Sequence, residues 1–143
     1  TVYMHANCSG SFSRAKSGAG TPTKVLELCT WGAGGLTSDD GAIYFGGSEV
    51  QRLPLGTGTI AALTTTQYVS GLTHNCGDLY WVQVYADGGT DLERMPTSAF
   101  SDNGAVDRSK REVLVPSADG ATIAFGSRGM YWSVGDRIMR VKR

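Results

Sequence analysis

His5 and Cys8 stand three residues apart, and His74 and Cys76 two apart. Imidazole and thiolate are zinc-ligand types, but a zinc site draws on four protein ligands, or on three and a water. The strand pattern set out below puts the two pairs at opposite ends of the sheets, so neither a metal nor another cofactor is expected. Acidic residues precede glycine in SDDG, ADGG, SDNG and SADG, at Ser38–Gly41, Ala86–Gly89, Ser101–Gly104 and Ser117–Gly120. None continues into the spaced carboxylates and terminal Glu of a calcium loop. Asp-Gly and Asn-Gly are first of all turn formers. Thr1 is of a type that can act as an N-terminal nucleophile, but it is read here as a processing boundary. The chain has no Gly-x-Ser-x-Gly elbow, no P-loop and no dinucleotide glycine pattern. No catalytic residue is therefore assigned.

Composition sets the frame for these residues. The 143 residues are 41% hydrophobic, which suits one globular domain. Glycine is frequent, at 20 residues, without a collagen period, as in a fold of many tight turns. Thirteen basic and thirteen acidic residues cancel, which argues against a nucleic-acid partner held by bulk charge. No apolar run approaches the roughly 18 residues of a membrane span. Three cysteines, Cys8, Cys29 and Cys76, allow at most one internal disulfide.

The elements that must position any site come from self-similarity. VYM (Val2–Met4) precedes SFSRAK, and IYF (Ile43–Phe45) precedes EVQRLP. LYW (Leu79–Trp81) precedes DLERMP, and MYW (Met130–Trp132) precedes RIMRVK. Each unit is an aliphatic-Tyr-bulky triplet (strand b), a turn, and a segment with an arginine (strand c): Arg14, Arg52, Arg94 and Arg140. The tyrosines Tyr3, Tyr44, Tyr80 and Tyr131 are 41, 36 and 51 residues apart. That matches the roughly 40–50 residues of one four-stranded propeller blade. Flanking segments such as KVLELC, TIAALTT and REVLVP supply a fourth kind of strand, d, and GLTSDDG and GLTHNCG a first, a. The chain then reads b-c-d, a-b-c-d, a-b-c-d, a-b-c, with repeat units 1–29, 30–66, 67–117 and 118–143. Ser98–Ser109 reads as an insertion.

Alternation along a strand places Tyr80 on one face and Leu79 and Trp81 on the other. Large residues at consecutive positions suit a strand covered on both faces by neighbouring blades. Tyr44, Tyr80, Tyr131, Trp81 and Trp132 are expected to be largely buried. The arginines are expected to be satisfied structural residues.

The triplets and arginines resemble the YWTD repeat of low-density-lipoprotein-receptor-type β-propellers, and are similar to variant repeats of bacterial surface propellers. The Thr-Asp that follows Tyr-Trp in that family is replaced here by His5-Ala6, Gly46-Gly47, Val82-Gln83 and Ser133-Val134. The resemblance implies an all-β propeller of four-stranded antiparallel blades and an extracellular or cell-surface setting. It also implies that partners meet the face carrying the b–c turns and d–a connections.

On that face the pattern collects Trp31, Tyr68, Tyr85, Asp87 and Asp119 as candidate ligand-binding residues. Aromatic rings in loops on a rigid scaffold offer flat contact area to a peptide or a sugar. Cys8 and Cys29 end strands of one repeat on the same face, and their bonding would need the strand ends to bend inward. The expected function is a non-enzymatic binding module for a protein or glycan partner. Two alternatives stand beside it: a propeller hydrolase or lactonase with an axial metal, near Asp39, Asp40 and His74, and a structural fragment of a larger propeller. Incomplete first and last units leave Tyr3 and Met4 near one open blade face and Trp132 and Met139 near the other. A second chain, identical or the other half of a split parent, is expected to complete the ring.

Overall fold

The structure, a computed structural model, describes residues 2–6, 11–15, 23–27, 34–65 and 67–141, the first three segments as backbone. The chain divides into two compact units, Thr1–Trp31 and Gly32–Arg143. The first unit is one antiparallel sheet of β1 (Val2–Ala6), β2 (Ser11–Ala15) and β3 (Thr23–Glu27), in that order. Tyr3 lies opposite Arg14, and β3 begins opposite the same arginine at Thr23. Cys8, Cys29 and Trp31 lie outside the described residues, as do the side chains of His5, Tyr3 and Met4.

The second unit holds three antiparallel sheets. The first is β4 (Leu36–Ser38), β5 (Ala42–Gly46), β6 (Glu49–Pro54) and β7 (Ala61–Thr64). The second is β8 (Tyr68–Asn75), β9 (Asp78–Val84), β10 (Thr90–Pro96) and β11 (Glu112–Val115). The third has three strands, β12 (Gly120–Gly126), β13 (Gly129–Val134) and β14 (Arg137–Val141). Among the described residues there is no α-helix, only two 3-10 turns at Thr97–Ala99 and Arg108–Lys110. The expected b–c hairpins form in register: Tyr44 faces Arg52, Tyr80 faces Arg94 and Tyr131 faces Arg140. The β8–β9 turn shows the local cause. Cys76 and Gly77 both take positive φ, 53° and 85°, the two-residue turn whose twist matches paired strands.

Packing within the second unit follows from strand alternation. Tyr80, Val82 and Leu92 occupy one face of their sheet and share a core with Ile123, Met130 and Trp132. Leu79, Trp81 and Met95 occupy the opposite face and share a core with Ala42, Tyr44 and Val50. The tyrosine face of each sheet thus rests on the tryptophan-bearing face of the next. Both faces of β9 are covered, which is why Leu79, Tyr80 and Trp81 are consecutive and all buried. Trp132 is also buried, so it does not mark an open blade face as the sequence suggested. The opposite face of that sheet carries Tyr131, Ile138 and Arg140, and Tyr131 is only half-buried. Val50 and Leu92, two residues before their arginines, are 0% exposed, whereas the equivalent Ile138 is 75% exposed.

The segment read as an insertion is folded into the core. Phe100 and Ala99 are buried, and the Phe100 ring meets Tyr44 edge-on at 6.2 Å. Thr59 donates its amide to the Asp102 carbonyl at 2.8 Å, which ties the segment to the strand β7 approach.

Candidate functional site

Tyr68, Tyr85, Asp87 and Asp119 come together at one end of the β8–β11 sheet. Tyr68 opens β8 and lies opposite Val84, the last residue of β9, so it sits at the sheet end beside the 85–89 turn. Val84 also pairs with Thr90. The Thr90 carbonyl accepts the amide of Ala118 at 2.7 Å, which brings the 116–119 connection to the same end. Tyr68 is therefore a strand residue rather than the loop residue the sequence suggested. Its backbone is closely seated. Val69 donates to the Gly47 carbonyl at 2.7 Å and Leu72 to the Gly34 carbonyl at 3.0 Å. A methyl group at Gly34 would stand 1.6 Å from the Val69 oxygen, so only glycine permits this approach. On this firm base the Tyr68 side chain is 48% exposed.

The other three residues differ in what they offer. Tyr85 is half-buried, and its hydroxyl donates to Asp91 Oδ2 at 2.8 Å. Burial, reinforced by the Asp91 bond and the Glu93 charge, pushes its pKa up to about 12. Asp87 caps its own turn, where Oδ1 accepts the Gly89 amide at 2.9 Å. Asp119 is exposed and holds φ at 47°, beside Ser117 at 53°. Asp tolerates the left-handed region better than most residues, and two such residues in one connection fix its course.

Beneath this end lies a polar network that the sequence did not reveal. Glu93 is fully buried opposite Trp81. Arg111 answers it with two donors, Nε to Oε2 at 2.8 Å and Nη2 to Oε1. Tyr85 adds a longer contact to Glu93, and Asp91 Oδ1 accepts the Ser117 amide at 2.9 Å. Gln83, also fully buried, donates to the carbonyls of Tyr68 and Val84. The network couples the 85–89 turn to the 116–119 connection. Its members are 18 or more residues apart where they cross from β10 to the β11 side, and pairing at that distance leaves no periodic trace in a sequence.

The opposite end of the sheets has an open cavity of about 470 Å³, lined by Asp39, Asp40, Tyr44, Arg52, His74 and Phe100 among others. It gathers the three residues that the hydrolase reading named. Asp39 accepts the amides of Gly41 and Ala42 and the Tyr44 hydroxyl, each at 2.8 Å. Burial alone would raise the Asp39 pKa, but these hydrogen bonds outweigh it and hold the carboxyl below its ordinary value. Burial first, then the Asp39 bond, pushes Tyr44 up to about 12. Arg52 pairs with Asp102. The His74 ring lies nearly parallel to Tyr44, with centroids 6.4 Å apart, and its buried Nε2 makes no hydrogen bond. Most polar groups of this cavity thus satisfy one another. Among the described residues no three His, Cys, Asp or Glu side chains are grouped to hold a metal ion.

No family model matches the chain, and no curated protein does. A crystal structure of a nidogen/laminin complex is similar over 87% of this chain and 64% of that chain, with 15% identity and a TM-score of 0.53. The fold is propeller-like. At this identity the likeness is one of architecture, and it agrees with the antiparallel sheets stacked in the second unit. In propeller terms those sheets are blades. The Tyr68 end carries the b–c turns and d–a connections, and the cavity end carries the a–b turns and c–d connections. No helix among the described residues is long and apolar enough to cross a membrane.

Proposed function

We propose that the chain is a non-enzymatic interaction module that binds a protein partner through the blade end carrying Tyr68, Tyr85, Asp87 and Asp119. The observation that carries this reading is Tyr68, a large aromatic side chain that is 48% exposed on a closely seated strand. A tyrosine docks with little loss of side-chain freedom and supplies both apolar area and a hydroxyl. The buried Glu93–Arg111 pair and the Tyr85 hydroxyl bond hold the surrounding turns in place. A surface already in its binding shape loses less entropy on association. The similarity to a structure of a protein–protein complex supports a protein partner and an extracellular setting.

The test is affinity capture with the wild-type chain, followed by titration of the captured protein against purified variants. Tyr68→Ala is expected to keep the wild-type circular dichroism spectrum and to weaken binding about 30-fold, the range of an aromatic hot spot. Asp119→Ala is expected to have a smaller effect in the same direction. Unchanged affinity of Tyr68→Ala would remove this surface from the interaction. Binding on a glycan array, abolished by the same variant, would replace the protein partner with a sugar.

A further inference from the structure

The connection from β10 to β11, residues 97–111, is the longest among the described residues. Its first half is anchored, with Ala99 and Phe100 buried. Its second half turns outward. Asp107, Arg108, Ser109 and Lys110 are all exposed, and the 3-10 turn Arg108–Lys110 buries no residue. Only a few solvent-facing bonds hold that turn. Asp107 Oδ1 accepts the Ser109 amide and hydroxyl, at 3.1 and 2.7 Å. The Lys110 amide donates to the Asp107 carbonyl and the Arg111 amide to the Arg108 carbonyl, each at 3.2 Å. A segment held by exposed hydrogen bonds opens locally at little cost, and exposed loop tips are where chains are nicked.

Three cations stand together here, Arg108, Lys110 and Arg111, and the fold treats them differently. Arg108 and Lys110 are exposed. Arg111 commits its guanidinium to Glu93, a fully buried carboxylate, through Nε at 2.8 Å and through Nη2. An endoprotease of basic specificity must draw the side chain that precedes the scissile bond into its own acidic pocket. Arg111 can enter such a pocket only by leaving Glu93, which strands a buried charge. We propose that Arg108–Lys110 is a nicking site for an endoprotease that cuts after basic residues, that Glu93 withholds the bond after Arg111, and that the cut chain stays assembled. In the cut after Lys110, water's oxygen goes to the Lys110 carbonyl carbon and both of its protons to the Arg111 nitrogen. The products are a carboxylate and an ammonium. β11 remains paired with β10, and the β12–β14 sheet remains packed on β8–β11. The site lies on a c–d connection, at the cavity end, so it and the Tyr68 surface stand independently.

Trypsin represents the protease class. The full chain is digested briefly in native buffer, the pieces are weighed by mass spectrometry, and the nicked product is passed through size-exclusion chromatography. Between residues 34 and 134 trypsin could also cut after Arg52, Arg94, Arg111 and Arg128. Arg52 and Arg94 lie inside paired strands, and Arg128 in the two-residue turn between β12 and β13. The first cut in that range is expected after Arg108 or Lys110, with both pieces eluting together. Arg108→Gln combined with Lys110→Gln changes only exposed side chains and is expected to fold. It should slow cutting in the range about 100-fold, because Arg111 stays engaged. Adding Glu93→Gln should bring cutting back, after Arg111 alone. A spread of cutting to Arg52 and Arg94 would mark unfolding of that last variant, and the double variant then decides. A first cut at Arg52, Arg94 or Arg128 would overturn the inference. So would pieces that separate, or a double variant cut after Arg111 as fast as the wild type is nicked.

Discussion

Glu93 is an acidic residue with none of its surface in water. A buried carboxylate survives only when it is paired and hydrogen-bonded, and Arg111 supplies both. Arg111→Ala is expected to cost about 3–5 kcal/mol in urea unfolding, because it strands the charge. Replacing Glu93 and Arg111 together by aliphatic residues of similar volume should recover most of that loss. Tyr44 and Tyr85 make a second prediction at this scale. Their pKa values are pushed up to about 12 in the folded chain, from 10 when unperturbed. The folded state therefore favours the neutral phenol. That contribution is complete below pH 10 and is lost as pH rises toward 12. Stability should fall across that window, and ultraviolet titration should show tyrosinate forming late. Tyr85→Phe is expected to shrink the alkaline loss. Neither effect was legible in the sequence, where Glu93 and Tyr85 look like surface positions of a strand and a turn.

The elements were far more legible than the contacts between their side chains. The order of an aliphatic-Tyr-bulky triplet, a turn and an arginine segment recurs four times, with Tyr-to-Arg separations of 11, 8, 14 and 9 residues that vary with the turn. That order marked all four hairpins, and the register bears it out. Consecutive large residues in LYW marked a strand covered on both faces, and Trp81 is fully buried. Trp81→Ala is expected to destabilise the chain by about 3–5 kcal/mol while the spectrum stays that of a β protein. The 97–110 segment was not legible. Its fold depends on Phe100 reaching Tyr44 more than fifty residues away in sequence, and neither 3-10 turn has a long enough period to detect. Phe100→Ala is expected to cost about 3 kcal/mol or more, although no repeat motif includes that residue. That Tyr68, Tyr85, Asp87 and Asp119 share one sheet end was legible, because turn order alone brings them there. That Tyr68 stands exposed while the Tyr85 hydroxyl is engaged depends on side-chain packing, which alternation cannot read.

In the whole molecule, the second unit is a directional stack in which each tyrosine face lies on the tryptophan-bearing face that follows. The last tyrosine face carries Ile138, which is 75% exposed. A second chain over this face is the reading we propose, and light scattering tests it. The expected mass is a multiple of the 15.1 kDa chain, reduced to a single chain by Ile138→Asp. A sharp mass of one chain at every concentration for the wild type would reject it. The same bare face also has a consequence for motion. In a stacked array, stability is close to a sum of each unit's own term and its terms with immediate neighbours. The β8–β11 sheet has such a term on each side, with Tyr44 and with Trp132. Among the described side chains, the β12–β14 sheet has one on a single side, with the β8–β11 sheet. It should therefore open by itself, as a unit, at a free energy below that of global unfolding. Its backbone amides would exchange with deuterium ahead of those in β9 and β10, and the fastest would be those of β14.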